Sequence, residues 1–447
     1  MELKLKKVYL LSLGCPKNLV DSEIVAAMLA KDGYMFTVFP EEADIIIVNT
    51  CCFIKEATEE SVEKISQMAY LKKNGSCKKL IVMGCLPQRY KERVFELVSN
   101  VDLFLGTGDF IYISRYIKNG LKDTNPSLYV EKPTFLLSDK TPRILSLSHT
   151  AYVKIAEGCS HRCSFCIIPY IKGPYQSRSM ISIKREVESL VDKAVKEIIL
   201  IAQDTTFYGY DLYKKRKLVS LLKKLVKIKH IKWIRLLYCH PRYIDSSLLK
   251  LISQESAICK YLDIPLQHVS DKILKRMGRG GDPYKMRKLI EKIRKIIPNI
   301  SIRTTFIVGF PGETKKDFSL LKEFVKDVEF EHVGVFKYRR EEGTKAYYYT
   351  DQIPEDVKEQ RYRELMEIQQ QISYKLNANR IGQTIDVLVE GCNGKSSWGR
   401  TYFQAPDIDG IVYIKDKLSV GDMVKVRITK ALPYDLEGKI IKTNKGG

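Results

Sequence analysis

Long apolar runs are missing from this 447-residue sequence, and no run approaches the roughly 20 residues of a membrane-spanning helix. Low-complexity tracts are missing too, and the 45% of hydrophobic residues are mixed with charges of both signs, which excludes a disordered or fibrous chain. A convincing export signal is also lacking. The basic stretch 1–7 and the apolar stretch 8–13 resemble a short lipoprotein signal, but the apolar part is short and an amphipathic helix follows at once. We expect a cytoplasmic protein of two to four domains with no membrane partner.

Positive charge is in excess, with 75 basic against 53 acidic residues and a formal charge of +22. Such an excess favours a polyanionic neighbour such as RNA or the ribosome. However, many of the extra lysines, such as those at 215–227, fall in predicted helices, where a solvated face explains them equally well. Charge alone leaves both interpretations open.

The first 120 residues repeat a strand, a short loop and a helix, which predicts a parallel α/β sheet. The predicted strands are 8–13, 45–49 and 80–83, and the predicted helices are 19–31, 57–71 and 90–98. The segment after residue 118 is rich in Pro, Ser, Thr and Lys and loses this rhythm. We predict a linker over 121–147.

The alternation of strands and helices resumes after the linker and predicts a partial or full βα barrel of the TIM type over 148–378. Its six strands are predicted at 152–155, 198–202, 234–237, 262–265, 301–308 and 333–338. A long helix from Pro354 to about residue 377 connects it to a different tail. In that tail, 380–447, five short strands predict a small antiparallel β-barrel.

Eleven cysteines, an odd number in a chain without an export signal, favour reduced thiols for metal or chemistry over disulfides. Cys159, Cys163 and Cys166 form C-x3-C-x2-C directly after the first barrel strand. Three thiolates on one loop are typical of a 4Fe–4S cluster whose fourth iron stays open for S-adenosylmethionine. Structural zinc is the alternative, with His161 as the fourth ligand.

A second set of cysteines shares a position relative to the strands of the first domain. Cys15, Cys51 and Cys85 each follow a predicted strand by one or two residues. The carboxyl ends of parallel strands lie side by side, so these thiols should converge and suit a second 4Fe–4S cluster. The alternative is that they are ordinary buried cysteines near strand ends. Cys52 adjoins Cys51, but its side chain should point elsewhere.

Other polar and aromatic residues fall where a cofactor could be reached. Phe165 precedes the third cysteine of the loop and could pack against adenine or simply against the loop. Gln203, Gln267 and Arg303 are predicted near the barrel's strand ends, where S-adenosylmethionine would bind. Ordinary loop and capping roles explain each of them about as well.

These cysteine segments, together with the predicted tail barrel, resemble those of a known family. The loop EGCSHRCSFCIIP, from Glu157 to Pro169, is similar to that of the radical S-adenosylmethionine superfamily, and with the upstream cysteines and the barrel tail the whole chain resembles the methylthiotransferases. The resemblance implies an N-terminal methylthiotransferase domain, a radical barrel and a C-terminal TRAM domain. It also implies two 4Fe–4S clusters, with S-adenosylmethionine as co-substrate.

Four segments favour the branch of that family that modifies an aspartate of small-subunit ribosomal protein S-twelve over the branch that modifies a tRNA adenosine. They are SLGCPKNLVDSE from Ser12, NTCCFI from Asn49, REEGT from Arg340 and APDIDG from Ala405. Cys52 stands where this branch usually has glycine, and Arg339 stands where serine is common. Neither change touches a proposed ligand.

The resemblance implies that a radical derived from S-adenosylmethionine abstracts hydrogen from the aspartate β-carbon, and that the second cluster presents a methylated sulfur. The tail, with 11 basic and 8 acidic residues, is only weakly positive, so Asp407 and Asp409 are expected to contact a basic protein. The expected partners are ribosomal protein S-twelve or the small subunit, and an electron donor of the flavodoxin or ferredoxin type. The sulfur donor stays unknown.

Overall fold

The first domain is a six-stranded parallel sheet in the order β2-β1-β3-β4-β5-β6. This computed structural model describes residues 6–118, 126–280 and 282–441, so the predicted boundary at residue 120 lies outside the described residues. The elements are β1 (Lys7–Ser12), α1 (Pro16–Lys31), β2 (Met35–Phe36), β3 (Ile45–Thr50), α2 (Lys55–Asn74), β4 (Lys79–Gly84), α3 (Cys85–Tyr90), α4 (Val94–Leu97), β5 (Leu103–Leu105), α5 (Ile113–Lys118) and β6 (Ser127–Tyr129).

The predicted parallel sheet is confirmed, and two local predictions need correction. The helix predicted at 90–98 is instead α3, which begins at Cys85, followed by the short α4; Lys91, at φ 49°, ends the first of them. The predicted linker contributes β6, which pairs with β5 at the edge of the sheet. A three-residue edge strand carries too little periodicity to be recognised from sequence.

The second domain holds six parallel strands in two sheets, β7-β10-β11 and β12-β13-β14. The sheets meet at a bridge between Ile234 and Ile258, and no pairing of β7 with β14 closes a full barrel among the described residues. The elements are β7 (Thr150–Lys154), β8 (Ala156–Glu157), α6 (Ile168–Lys172), β9 (Gln176–Ser177), α7 (Met180–Asp192), β10 (Glu197–Ile201), α8 (Tyr210–Tyr213), α9 (Leu218–Leu225), β11 (Trp233–Leu236), α10 (Ser246–Gln254), β12 (Tyr261–Gln267), α11 (Asp271–Arg276), α12 (Pro283–Ile296), β13 (Ser301–Val308), α13 (Lys315–Val328), β14 (His332–Lys337) and α14 (Glu355–Ala378).

The tail folds into a closed five-stranded barrel in the order β15-β16-β17-β19-β18. Four of its five strand pairs are antiparallel as predicted, whereas β17 and β19 pair in parallel. The strands are β15 (Thr384–Cys392), β16 (Ser397–Arg400), β17 (Val412–Ile414), β18 (Met423–Ala431) and β19 (Leu436–Ile440). The last of the predicted tail strands, 439–442, overlaps β19, and its final residue lies outside the described residues.

The two outer domains cover opposite ends of the central barrel. The C-terminal barrel lies at the amino ends of the strands, where Ser301 and His332 each bond the Phe403 carbonyl, at 3.3 and 2.7 Å. The first domain contacts the opposite, carboxyl end, since Arg89 pairs with Glu341 at 2.8 Å. The carboxyl end of the first sheet therefore faces the carboxyl ends of the barrel strands across a cleft. No helix within the described residues has the length and apolarity needed to cross a membrane.

Candidate active site

The loop carrying Cys159, Cys163 and Cys166 leaves the barrel just after β8. It begins at Gly158, whose φ of 70° and whose close approach to the Pro174 carbonyl admit no side chain; an added Cβ would lie 2.1 Å from that oxygen. The Cys159 amide donates to the Gly173 carbonyl at 3.0 Å. Backbone contacts thus fix the start of the loop before any metal is considered.

The middle of the same loop is anchored by the carboxyl end of α11 and by the segment that follows β10. The Ser164 amide donates to the Met277 carbonyl at 2.9 Å, and its hydroxyl donates to the Arg276 carbonyl at 2.7 Å. His161 lies 2.7 Å from the buried carboxylate of Asp204. In the predicted zinc alternative His161 would bind the metal through Nδ1, because its Nε2 is bonded to this carboxylate.

The three thiols of this loop influence one another electrostatically. Burial raises the pKa of Cys166 to about 12, and repulsion from Cys163 and Cys159 adds to this. Burial likewise raises the pKa of Cys159 to about 11. Arg279 opposes both shifts, and its guanidinium lies 3.9 Å from the Cys163 sulfur. Thiolates at these positions therefore require additional positive charge.

The second set of cysteines meets at the carboxyl edge of the first sheet. In the strand register, Thr50 of β3 is opposite Gly84 of β4, so Cys51 and Cys85 are the next residues on adjacent strands. Cys15 precedes α1 at the end of β1, the strand on the other side of β3. The shared offset seen in the sequence thus corresponds to three neighbouring strands.

Close backbone approach and one asparagine hold these strand ends together. Gly14 has a φ of 85°, and a Cβ added to it would lie 2.9 Å from the Cys51 sulfur. Asn18 donates to the Leu13 and Thr50 carbonyls at 3.0 and 2.9 Å, which ties α1 to β3. Its amide oxygen lies 3.9 Å from the Cys85 sulfur.

The electrostatics of this second set depend on a lysine of the barrel. Burial raises the pKa of Cys85 to about 12, Lys172 opposes the shift, and Cys51 and Cys15 add to it. Cys52 is fully buried in the apolar core that also contains Cys85, and burial, with a contribution from Cys85, raises the pKa of Cys52. Its orientation away from the group stays a prediction.

Buried charges occupy the interface between α1 and the barrel. Asp21 pairs with Lys154 at 2.5 Å and with Lys172 at 3.6 Å. Lys17 lies one turn earlier on α1, with its ammonium 3.6 Å from the centre of the Tyr238 ring. Sequence reasoning missed this network, although the i, i+4 spacing of Lys17 and Asp21 places both on one helix face.

Two of the four residues predicted to contact S-adenosylmethionine line one cavity at the cleft. Phe165 and Gln267 border a space of about 600 Å³ that also touches Phe53 of the first domain. The buried Oε1 of Gln267 accepts no hydrogen bond. Gln203 follows β10 and is half-buried in the loop beside Asp204.

The roles predicted for Arg303 and Asp409 need correction. Arg303 lies near the start of β13, about 16 Å along the strand from its carboxyl end at about 3.3 Å per residue, and pairs with Asp409 at 2.6 Å. The side chain of Asp409 is fully buried and also accepts from Tyr261 at 2.8 Å. Burial disfavours its charged form, but His332 and Arg303 outweigh burial and lower the pKa of Asp409. Arg303 therefore cannot contact S-adenosylmethionine at the carboxyl end, and the buried Asp409 cannot contact a partner protein. The sequence did not reveal this, because spacing alone does not show which end of a strand a side chain reaches.

Asp407 differs from Asp409 by being exposed, at a φ of 63° in the same loop. Its contact with a substrate protein stays a prediction.

All eleven cysteines lie in the described ranges and are free thiols. Within those ranges no group of three or more His, Cys, Asp or Glu side chains is arranged around a single metal ion.

Family models match the three domains in turn. Residues 7–106 match the uncharacterized protein family UPF0004, residues 153–325 match the radical SAM superfamily, and residues 381–441 match the TRAM domain. The radical SAM match supports an iron–sulfur cluster and S-adenosylmethionine as cofactor and co-substrate of this barrel.

Solved structures with low sequence identity share the fold. The methyltransferase TsrM from Kitasatospora setae, with cobalamin and a 4Fe–4S cluster bound, is 14% identical with a TM-score of 0.55, over 74% of this chain and 72% of that chain. The cobalamin-dependent radical enzyme OxsB, with aqua-cobalamin and S-adenosylmethionine bound, is 13% identical with a TM-score of 0.53, over 82% of this chain and 56% of that chain.

Curated relatives match almost the whole length. The ribosomal protein uS12 methylthiotransferase RimO of Citrifermentans bemidjiense is 46% identical over 98% of both chains, and that of Geotalea uraniireducens is 48% identical over the same shares. The RimO of Thermoanaerobacter sp. is 48% identical over 97% of this chain and all of the relative. The chain belongs to this RimO family of radical SAM methylthiotransferases.

Proposed function

We propose that this chain transfers a methylthio group to the β-carbon of an aspartate in ribosomal protein uS12. The observation that carries the proposal is the pair of cysteine groups on facing strand ends, one on the first sheet and one on the barrel. The names of the curated relatives supply the substrate.

The loop cysteines 159, 163 and 166 would hold the 4Fe–4S cluster of the radical reaction. They fit it because they are free, and because Arg279 offsets part of the negative charge of their thiolates. Three thiolates leave one iron for the amino and carboxylate groups of S-adenosylmethionine. When bound, the cluster and its co-substrate supply the one-electron chemistry that removes a hydrogen atom from the substrate.

Cys15, Cys51 and Cys85 would hold a second 4Fe–4S cluster, from which the sulfur of the methylthio group is delivered. They fit it because three adjacent strand ends present one thiol each. Lys172 approaches them from the barrel, and its positive charge opposes the rise in the pKa of Cys85. The substrate would enter between the two cysteine groups.

Other side chains would bind the co-substrate and exclude water. Phe165 offers an aromatic surface to adenine, and the unpaired Oε1 of Gln267 offers an acceptor to an amino or hydroxyl donor. The C-terminal barrel closes the opposite end of the strands, where Arg303 and Asp409 leave no open charge. The C-terminal barrel would thus shield a radical inside the central barrel from bulk solvent at the amino ends of the strands.

The partners follow from this function. They are uS12 or the small ribosomal subunit in the cytoplasm, and an electron donor of the flavodoxin or ferredoxin type. Asp407 is the exposed acidic residue of the APDIDG loop and would contact the basic substrate protein.

The test compares substrates under anaerobic conditions. The reconstituted full-length enzyme is incubated with S-adenosylmethionine, a reductant and either uS12 or tRNA, and the products are analysed by mass spectrometry. A methylthio group on the uS12 aspartate supports the proposal. Modified tRNA with unmodified uS12 would overturn the substrate, and zinc in place of iron would overturn the reaction.

A further inference from the structure

Lys17 is a buried lysine of α1 that lies between the first domain and the barrel. It is the second residue of α1, two residues after Cys15, and only 5% of it is exposed. Its ammonium lies 3.6 Å from the centre of the Tyr238 ring, just beyond the end of β11. This contact holds the cation at the carboxyl end of the barrel, on the side of the second cysteine group.

The other two buried lysines of this interface pair with a carboxylate, whereas Lys17 pairs with none among the described residues. Lys154 and Lys172 both pair with Asp21. Across residues 6–118, 126–280 and 282–441, the Lys17 ammonium makes no hydrogen bond or ion pair. A buried ammonium without an anion is unfavourable, and an anion that reached Lys17 would stabilise its charged form.

The Cys15 thiol and two carboxylates, those of Glu157 and Asp263, act electrostatically on Lys17, and both carboxylates are already engaged. Glu157 accepts from Lys154. Asp263 accepts from the Tyr238 amide at 2.9 Å, and its own pKa is raised by burial, so its negative charge is disfavoured. The cation is therefore open to an anion from outside the chain.

We propose that Lys17 binds the side-chain carboxylate of the substrate aspartate, an inference that rests on the proposed function. In aspartate the reacting β-carbon is bonded directly to the carboxyl carbon. An ammonium that holds the carboxylate thus fixes the reacting carbon two bonds from the contacting oxygen. Because Lys17 is two residues from Cys15, the fixed carbon lies on the side of the sulfur donor.

The same contact would set substrate specificity. A charge-assisted hydrogen bond favours a carboxylate over the neutral amide of asparagine, and leaving a buried cation unpaired adds to the difference. A nucleobase offers no carboxylate. Lys17 is then a substrate-binding residue that selects an acidic side chain.

The experiment is a double-mutant cycle between enzyme and substrate. Dissociation constants of the cluster-loaded full-length enzyme are measured without reductant for uS12 and for uS12 with the target aspartate changed to asparagine. The enzymes are the wild type, Lys17→Met, Lys17→Arg and the control Lys72→Met. Lys72 is a partly buried lysine of the same domain that pairs with Asp102, away from the cleft.

Wild type and Lys72→Met are expected to bind the aspartate form on the order of tenfold to a hundredfold more tightly than the asparagine form. Lys17→Met should bind both forms equally, and Lys17→Arg should recover part of the preference. Iron content and substrate-free deoxyadenosine formation should match the wild type.

An undiminished preference for aspartate in Lys17→Met would overturn the inference. So would iron content in that variant as low as in Cys15→Ala, because the ammonium would then serve the cysteines rather than the substrate. If the wild type fails to modify uS12 at all, the proposed function falls and takes this inference with it. If the wild type modifies uS12 but Lys17→Met keeps the preference for aspartate over asparagine, only this inference falls and the proposed function stands.

Discussion

Both ends of the central barrel bury charged side chains, and the group around Glu197 at the amino end differs from Lys17 at the carboxyl end in how its charges are paired. At the amino end, Glu197 bonds Arg235 at 2.7 Å and Arg400 at 2.6 Å, and all three side chains are at most 1% exposed. At the carboxyl end, Lys17 has no anionic partner among the described residues and the oxygen of Gln267 accepts no hydrogen bond.

This difference distinguishes the end of the barrel where buried charges stabilise the structure from the end where they are available to a ligand. Buried charges that satisfy each other fix how the C-terminal barrel sits on the strands. Buried polar groups left without partners at the other end, beside thiols of raised pKa, are ready for ligands from outside the chain. Substitutions at the two ends should therefore affect different measured quantities.

The largest expected effect is on activity, at the carboxyl end. Cys163→Ala should abolish deoxyadenosine formation and methylthio transfer, because the remaining two thiolates cannot hold the radical cluster. Iron content should fall by about half, with the second cluster retained. Thermal unfolding of the apo form should stay near that of the wild type. A variant that still forms deoxyadenosine would contradict the assignment of this loop.

At the amino end the expected effect is on stability. Glu197→Gln should lower the free energy of unfolding by about 3–5 kcal/mol, because two buried arginines lose their counter-charge. Denaturant titration of the apo protein measures this. The control is Asp386→Asn, which breaks an exposed pair with Lys425 and should change the free energy by less than about 1 kcal/mol. Equal effects of the two variants would contradict the comparison.

The pH dependence of stability should report the same buried carboxylate. Burial opposes ionisation of Glu197, but Arg400 and Arg235 outweigh it and lower the pKa of Glu197 from 4.5 to about 2. A lowered folded-state pKa stabilises the fold above about pH 4.5, and this stability is lost as the pH falls towards about 2. Acid titration of the unfolding midpoint should show a shallower loss in Glu197→Gln than in the wild type.

The smallest expected effect concerns the exposed acid of the C-terminal barrel. Asp407→Asn should raise the KM for uS12 a few-fold, more at low salt than at high salt, because an exposed charge acts mainly on encounter. Its unfolding midpoint should not change. Asp409→Asn should instead lower the midpoint, since Arg303 would lose its buried partner. Steady-state kinetics at two salt concentrations and thermal unfolding distinguish the two residues.

The sequence predicts the fold and both cysteine groups because their signals are local or repeated. Strand periodicity predicts all six barrel strands, and the common offset after three strands predicts the meeting of Cys15, Cys51 and Cys85. The Arg303–Asp409 pair joins residues 106 positions apart on different domains, and domain docking leaves no sequence pattern. Lys17 has a visible spacing to Asp21, but its lack of a partner appears only when both domains are in place.

The most direct test counts iron in three reconstituted proteins and measures methylthio transfer to uS12 by each. They are the wild type, the triple alanine variant of Cys15, Cys51 and Cys85, and that of Cys159, Cys163 and Cys166. We predict about eight iron atoms in the wild type and about four in each variant. Deoxyadenosine should form in the first variant only, and methylthio transfer in neither. About four iron atoms in the wild type, or methylthio transfer by the first variant, would contradict the account.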